Sequence, residues 1–328
     1  MSDTCAEQEF ANESGTKSVK LSFVVPIFNE AEMVCKFVDR VRAVFKQYDA
    51  INLEIIFIND GSNDDTLIRL LELQKEFHEI CVVDLSRNFG KEAALTAGLD
   101  LCSGDVVVPI DVDLQDPPEL VLEMIEKWRD GYDVVVAKRI NRDADTWFKR
   151  TSATLFYRIH NKISKPALPE NVGDFRLMDR SVVDSVKSLP ESSRFMKGLM
   201  AWVGFKTAVV EYKRPKRLSG NTKFDNWKLW NFALEGITSF STSPLRIWTY
   251  IGGVVAFTSI LFAMFIVFTV FIKGADVPGY ASTMVAVTFL GGLQLMGIGI
   301  MGEYLGRTYI ESKRRPVYLI KNIYEGES

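Results

Sequence analysis

The residues best suited to chemistry are carboxylates placed at the ends of apolar runs. Val106–Ile110 is one such run, and it ends in Asp111-Val112-Asp113, with Gln115 two residues further on. Alternate side chains of an extended segment share a face, so Asp111, Asp113 and Gln115 can bring three oxygen donors together. Hard cations such as Mg²⁺ or Mn²⁺ take ligands of this kind. A cation there would bridge a diphosphate and offset the charge of a leaving group. Helix capping is the plainer role, and the following Asp116-Pro117-Pro118 suits it. Capping accounts for Asp116 better than for Asp111 and Asp113. Leu53–Asn59 ends in Asp60-Gly61-Ser62, where Asp60 serves either a ligand or the turn itself. Asn29 and Glu30 follow a third run, Val19–Ile27.

These runs read as strands, joined by Ile80–Leu85 and Asp133–Ala137. Helical patterns separate them, over Glu30–Tyr48, Thr66–Phe77, Lys91–Leu101 and Pro118–Arg129. Strands alternating with helices of this length predict a mostly parallel α/β sheet covered on both faces. Ligands of such sheets bind beyond the carboxyl ends of the strands, where the carboxylates cluster. No GxGxxG follows the first strand and no GxxxxGK[ST] occurs, which argues against dinucleotide dehydrogenases and P-loop NTPases.

Composition sets the frame for these elements. The chain has 328 residues, 47% of them hydrophobic, and a formal charge of −3. That excludes a disordered chain. Charge is segregated: residues 1–137 hold 12 basic and 27 acidic side chains, whereas residues 138–235 hold 20 basic and 10 acidic. The four cysteines, Cys5, Cys35, Cys81 and Cys102, form no CxxC pair, and only His78 and His160 are histidines. Zinc sites and histidine-cluster mechanisms are therefore not expected. Residues 1–17 read as a flexible polar tail without the features of a secretory signal.

The C-terminal part is of another kind. Residues 247–272 and 277–302 are two runs of 26 residues without a charge. About 20 such residues cross a bilayer as a helix, so a two-span transmembrane hairpin is expected over 246–303. Arg307, Lys313, Arg314, Arg315 and Lys321 follow it, and a basic segment precedes it. The positive-inside rule then puts both ends in the cytoplasm. The expected protein is a multi-pass inner (plasma) membrane protein with a cytoplasmic catalytic domain over 18–226 and a basic tail over 304–328. Gly291, Gly292, Gly297, Gly299 and Gly302 permit close helix contact, within one hairpin or between copies.

Several stretches together resemble the family-2 inverting glycosyltransferases of GT-A fold. They are Val25-Pro26-Ile27-Phe28-Asn29-Glu30, Asn59-Asp60-Gly61-Ser62, Arg87-Asn88-Phe89-Gly90-Lys91-Glu92 and Asp111-Val112-Asp113-Leu114-Gln115-Asp116-Pro117-Pro118. Gly173-Asp174-Phe175-Arg176-Leu177, Gly220-Asn221-Thr222-Lys223 and the hairpin narrow the resemblance to the polyprenyl-phosphate glycosyltransferase branch. The resemblance implies that Pro26, Asn29 and Glu30 line a nucleotide pocket and that Asp60 holds the uracil or ribose. It implies that Asp111, Asp113 and Gln115 bind Mg²⁺ or Mn²⁺, and that the protein is a homo-oligomer, such as a tetramer.

A membrane hairpin attached to a sugar-nucleotide domain suggests a lipid acceptor. Basic amphipathic patterns near 147–163 and over 227–245 suit helices lying at a membrane surface; charged faces turned to solvent are the alternative. Arg139, Arg150, Arg214, Arg217 and Lys223 are candidates for binding the donor diphosphate or the lipid phosphate. Nucleic acid is not an expected partner, because no stacking platform or recognition helix accompanies the basic run. Asp174 is a candidate for orienting the acceptor or acting as a base. The expected reaction is metal-dependent, inverting transfer of a sugar, with glucose favoured, from a UDP-sugar to undecaprenyl phosphate. Other sugars, GDP-mannose as donor and a non-catalytic membrane scaffold stay open on sequence alone.

Overall fold

The structure is a computed structural model that describes residues 18–140, 172–192, 194–213, 243–273 and 279–326. The described parts fall into two compact units, a sheet with its helices and a pair of long helices.

The sheet unit opens with β1 (Val19–Ile27), α1 (Ala31–Phe45), β2 (Ile51–Asn59), α2 (Thr66–Glu76), β3 (Ile80–Leu85), α3 (Lys91–Leu101), β4 (Val106–Pro109), α4 (Leu120–Arg129) and β5 (Val134–Arg139). Then follow β6 (Val172–Asp179), α5 (Arg180–Lys187), α6 (Met196–Trp202) and β7 (Thr207–Tyr212), and after the second unit β8 (Ile320–Tyr324). The strand order is β7-β5-β6-β4-β1-β2-β3-β8. The β1/β2, β1/β4, β2/β3 and β5/β7 pairs are parallel, which agrees with the mostly parallel sheet expected from the alternating pattern.

Hydrophobic burial holds these layers together. Phe23, Val25 and Phe57 on the strands and Phe37, Val38 and Val41 on α1 are fully buried in one cluster. On α1 the buried residues Met33, Val34, Phe37, Val38, Val41 and Phe45 recur at helical spacing, so one face closes on the sheet. Phe37 meets Phe57 edge-on, with ring centroids 5.9 Å apart.

Three strands were not legible as such. β6 interrupts its apolar residues with Gly173, Asp174 and Arg176, yet it inserts between β4 and β5, antiparallel to both. Because it runs the other way, its first residues lie at the carboxyl ends of the parallel strands: Val172 pairs with Lys138 near the end of β5. That reversal carries Asp174 to the ligand-binding edge. β7 joins β5 at one margin of the sheet. β8 lies within the segment read as a basic tail and pairs antiparallel to β3.

The second unit consists of α7 (Ser243–Lys273) and α8 (Tyr280–Ser312). They touch where Gly297 meets the indole of Trp248; a Cβ at Gly297 would fall 1.9 Å from Trp248 Nε1. Among the described residues no helix is long and apolar enough to cross a membrane. The surface segment read near 147–163 lies outside the described residues, as does most of the one over 227–245, whose last residues begin α7.

Candidate active site

The order β3-β2-β1-β4 reverses direction at β1, and a crevice opens at the carboxyl ends there, as the topology requires. The cleft measures ≈ 310 Å³. Pro26, Ile27 and Phe28 form its β1 side, with Glu30 beyond them. Asp60 comes from the end of β2, Asn88 and Gly90 from the loop before α3, Lys91 and Ala94 from the start of α3, and Asp111, Val112 and Asp113 from the end of β4.

The two aspartate loops are built differently. Asp60 is 4% exposed, and its carboxylate oxygens accept the backbone N–H groups of Phe89 (2.7 Å) and Gly90 (2.9 Å). The neighbouring turn passes so close to this loop that a Cβ at Gly61 would lie 2.5 Å from the backbone of Arg87 and Asn88; Gly61 also has φ +64°, which suits glycine. Asp111 is 34% exposed and is held by a side chain instead: Lys91 Nζ lies 2.7 Å from its Oδ1. The same ammonium lies 2.9 Å from Asp174 Oδ2. Lys91 thus ties the β4 loop to β6.

These contacts set the charges. Burial by itself would lower the Lys91 ammonium, but Asp111 and Asp174 outweigh it and raise it. Burial would raise the Asp174 carboxyl, but Lys91 and Lys197 hold it down at about 2. Asp174 is therefore a carboxylate at neutral pH, and among the described residues its Oδ1 has no hydrogen-bond partner. Glu92 goes the other way. Burial and the Asp174 charge push it up to about 7, against the N–H of Met196 that its Oε2 accepts at 3.0 Å.

The pattern of known glycosyl transferase family 2 proteins matches residues 22–187. The chain belongs to that family. It is 53% identical over 305 residues to a prophage bactoprenol glucosyl transferase homolog of Escherichia coli K12, covering 93% of this chain and 99% of the relative. It is 54% identical to the bactoprenol glucosyl transferase of Shigella phage SfV, again covering 93% and 99%. A solved glucosyl-3-phosphoglycerate synthase from Mycobacterium tuberculosis is 21% identical over 67% of this chain and 78% of its own, with a TM-score of 0.46, too distant a likeness to transfer a ligand.

Within this family 2 glycosyltransferase, Pro26, Glu30, Asp60, Asp111 and Asp113 share the cleft. Asn29 is not among the lining residues. It adopts φ 54°, donates its N–H to Ser62 Oγ (3.0 Å) and accepts the N–H of Asn63 (2.8 Å), bracing the β1 loop on the β2 loop. Gln115 is 8% exposed and also outside the lining. Leu114 takes φ 55°, and the Gln115 N–H donates to Asp113 Oδ1 (3.1 Å). Arg139 donates from Nε to the Tyr212 hydroxyl (3.2 Å) and lies 3.8 Å from Asp116, to which Tyr212 itself donates. Arg150, Arg214, Arg217 and Lys223 lie outside the described residues.

Lys91, Glu92 and Tyr212 received no role from sequence reasoning. Lys91 and Glu92 belong to the stretch Arg87-Asn88-Phe89-Gly90-Lys91-Glu92, but a charged pair at a helix start reads as solvated surface. Their meaning comes from Asp174, 83 and 82 residues away in the chain.

Among the described residues no three His, Cys, Asp or Glu side chains group closely enough to hold a metal alone. Two carboxylates, Asp111 and Asp113, face one cleft. That donor set fits Mg²⁺ or Mn²⁺ bound together with a substrate diphosphate, since Mg²⁺ typically takes one or two carboxylates plus phosphate oxygens and water.

Proposed function

We propose that this protein transfers glucose from UDP-glucose to undecaprenyl phosphate with inversion at the anomeric carbon, on the cytoplasmic face of the plasma membrane. The observation that carries this is the cleft at the topological switch point, with Asp111 and Asp113 on one wall and the start of α3 on another. The sugar and the acceptor follow the names of relatives more than 50% identical over almost the whole chain.

Pro26, Glu30 and the loop anchored by Asp60 receive the nucleotide. The diphosphate lies between the β4 carboxylates and the N-terminus of α3, whose free N–H groups favour anions. Asp111 and Asp113 would hold a divalent cation, which supplies charge neutralisation for the departing diphosphate. An acceptor phosphate oxygen attacks the anomeric carbon, the bond from that carbon to the diphosphate oxygen breaks, and UDP departs with the bonding pair. A phosphate monoester is already largely anionic at pH 7, its second pKa being about 6, so no strong base is needed. Asp174, held low by its lysines, is a poor base and a good anchor. It keeps Lys91 at the meeting point of donor and acceptor.

The hairpin belongs to the same proposal. Read over the full sequence rather than the described residues, α7 contains 26 consecutive uncharged residues (247–272) and α8 contains 23 (280–302). Phe257, Phe262, Phe265, Phe268 and Phe271 are all more than 60% exposed along α7, an apolar surface that water does not favour. β8, beyond the hairpin, pairs with β3, before it. Both ends of the hairpin therefore lie on one side of any membrane it crosses. Assembly into a homo-oligomer through these helices extends the same reading.

The test is purified full-length protein in detergent with Mg²⁺ or Mn²⁺, undecaprenyl phosphate and a panel of UDP- and GDP-sugars, read by mass spectrometry. Glucosylated lipid phosphate from UDP-glucose is the expected product. A product from another donor alone replaces the sugar. No lipid product from any donor, with folded protein and an active control enzyme, overturns the reading.

A further inference from the structure

The last strand of the chain reaches the floor of the donor cleft along two routes. β8 pairs with β3 through Val82↔Tyr324, Val83↔Ile323 and Asp84↔Asn322, and then the register shifts so that Leu85 faces Ile320. Lys321 is the extra residue at that shift. Bulges of this kind re-aim side chains, and Lys321 Nζ lies 3.5 Å from Asp84 Oδ2. Asp84 is 3% exposed, and its Oδ1 accepts the side-chain N–H of Asn59 (2.7 Å), itself 1% exposed. Asn59 Oδ1 in turn accepts the N–H of Ser62 (3.3 Å), within the β2 loop that carries Asp60.

The second route is backbone. The carbonyl of Leu319 accepts the N–H of Ser86 (2.9 Å), the first residue of the loop that supplies Asn88 and Gly90 to the cleft. Asp60 fastens the far end of that loop. Tyr318 adds a hydrogen bond from its hydroxyl to Asp100 Oδ2 at the end of α3 (2.8 Å). The loop over 86–90 is thus tied at one end by the tail and at the other by Asp60.

We propose that the C-terminal strand is a positioning element of the donor cleft, acting through Lys321, Asp84 and Asn59 on the Asp60 turn and through Leu319 on the loop over 86–90. The inference rests on the donor reading given above. A buried carboxylate tolerates burial only when paired. Without Lys321, Asp84 keeps one partner, Asn59, and reorients toward water, taking the Asn59 amide and the Asp60 turn with it. Nucleotide affinity falls, while Asp174 on β6, the candidate for orienting the acceptor, keeps its tie to Lys91.

The experiment uses full-length protein in detergent and measures UDP binding by calorimetry, with kcat and both KM values beside it. Lys321→Met should raise the Kd for UDP and the donor KM together by about fivefold, the reach of a partly exposed ion pair, with kcat and the acceptor KM unchanged. Lys321→Arg should behave as wild type. Asp84→Asn combined with Lys321→Met should recover most of the affinity, because an amide still accepts from Asn59 and leaves no buried charge. An unchanged UDP affinity in Lys321→Met overturns the proposal. So does a parallel shift of kcat and both KM values, which would mark a general loss of structure. Wild-type protein that binds no UDP would overturn the donor reading and this inference with it.

Discussion

The β2 loop and the β4 loop both bring aspartates to one cleft, and they hold them by opposite means. Asp60 spends its carboxylate oxygens on two backbone N–H groups. Asp111 is half-buried and paired with a lysine side chain that it shares with Asp174. Backbone donors are fixed by the fold and cannot leave. A lysine can swing, and its ammonium occupies space that a bound cation or diphosphate would contest. The first carboxylate therefore shapes the cleft, and the second is kept ready for exchange. Sequence alone gives the two loops the same appearance, an aspartate at the end of an apolar strand.

Removing the exchangeable side should cost activity and little else. Asp113→Ala is expected to lower kcat/KM by on the order of 10³-fold, the scale of losing charge stabilisation at a leaving group. The thermal midpoint should fall by a few degrees at most, because Asp113 lines the cleft and the N–H it accepts is that of Gln115, two residues on in the same loop. A large drop in the midpoint would mean that the β4 loop, like the β2 loop, is held together by its carboxylate, and the contrast would be gone.

The fixed side should fail in the opposite manner. Asp60→Ala orphans the N–H groups of Phe89 and Gly90 in a buried place, at about 3 kcal/mol for the two. For a unit of this size that is roughly 6–12 °C in the midpoint. Donor binding should weaken because the loop over 86–90 moves, and saturating Mg²⁺ or Mn²⁺ should not restore it. Retained stability with lost nucleotide binding would make Asp60 a ligand carboxylate in the plain sense.

What the sequence reveals here follows from what each element depends on. β1, β3 and α3 match their expected limits because stretches made mostly of apolar or small residues end in turn residues. Strand β6 hides because Gly173, Asp174 and Arg176 break its alternation, and it is stabilised by neighbours on both sides rather than by its own pattern. β8 is a short edge strand whose Lys321 and Asn322 read as tail. In the site, Pro26, Glu30, Asp60, Asp111 and Asp113 were legible because a parallel sheet sends its strand ends to one edge. Lys91 was not, because its importance lies in Asp174, which reaches that edge only through the reversed direction of β6.

Glu92 sharpens the contrast by the smallest effect. Like Asp60 it accepts a backbone N–H, but among the described residues that of Met196 alone, and it faces the Asp174 charge. Burial and that charge push its carboxyl from the ordinary 4.5 to about 7. A folded value above the unfolded one means stability that is complete below pH 4.5 and is lost as the pH rises through 7. Glu92→Gln keeps an acceptor for Met196 and carries no charge. It should match wild type in thermal midpoint at pH 4.5 and exceed it at pH 6 by about 2 kcal/mol, or roughly 4–8 °C. A difference that does not change with pH would show that Glu92 titrates normally. One backbone N–H would then suffice to hold a buried carboxylate, and the second that Asp60 receives would be surplus.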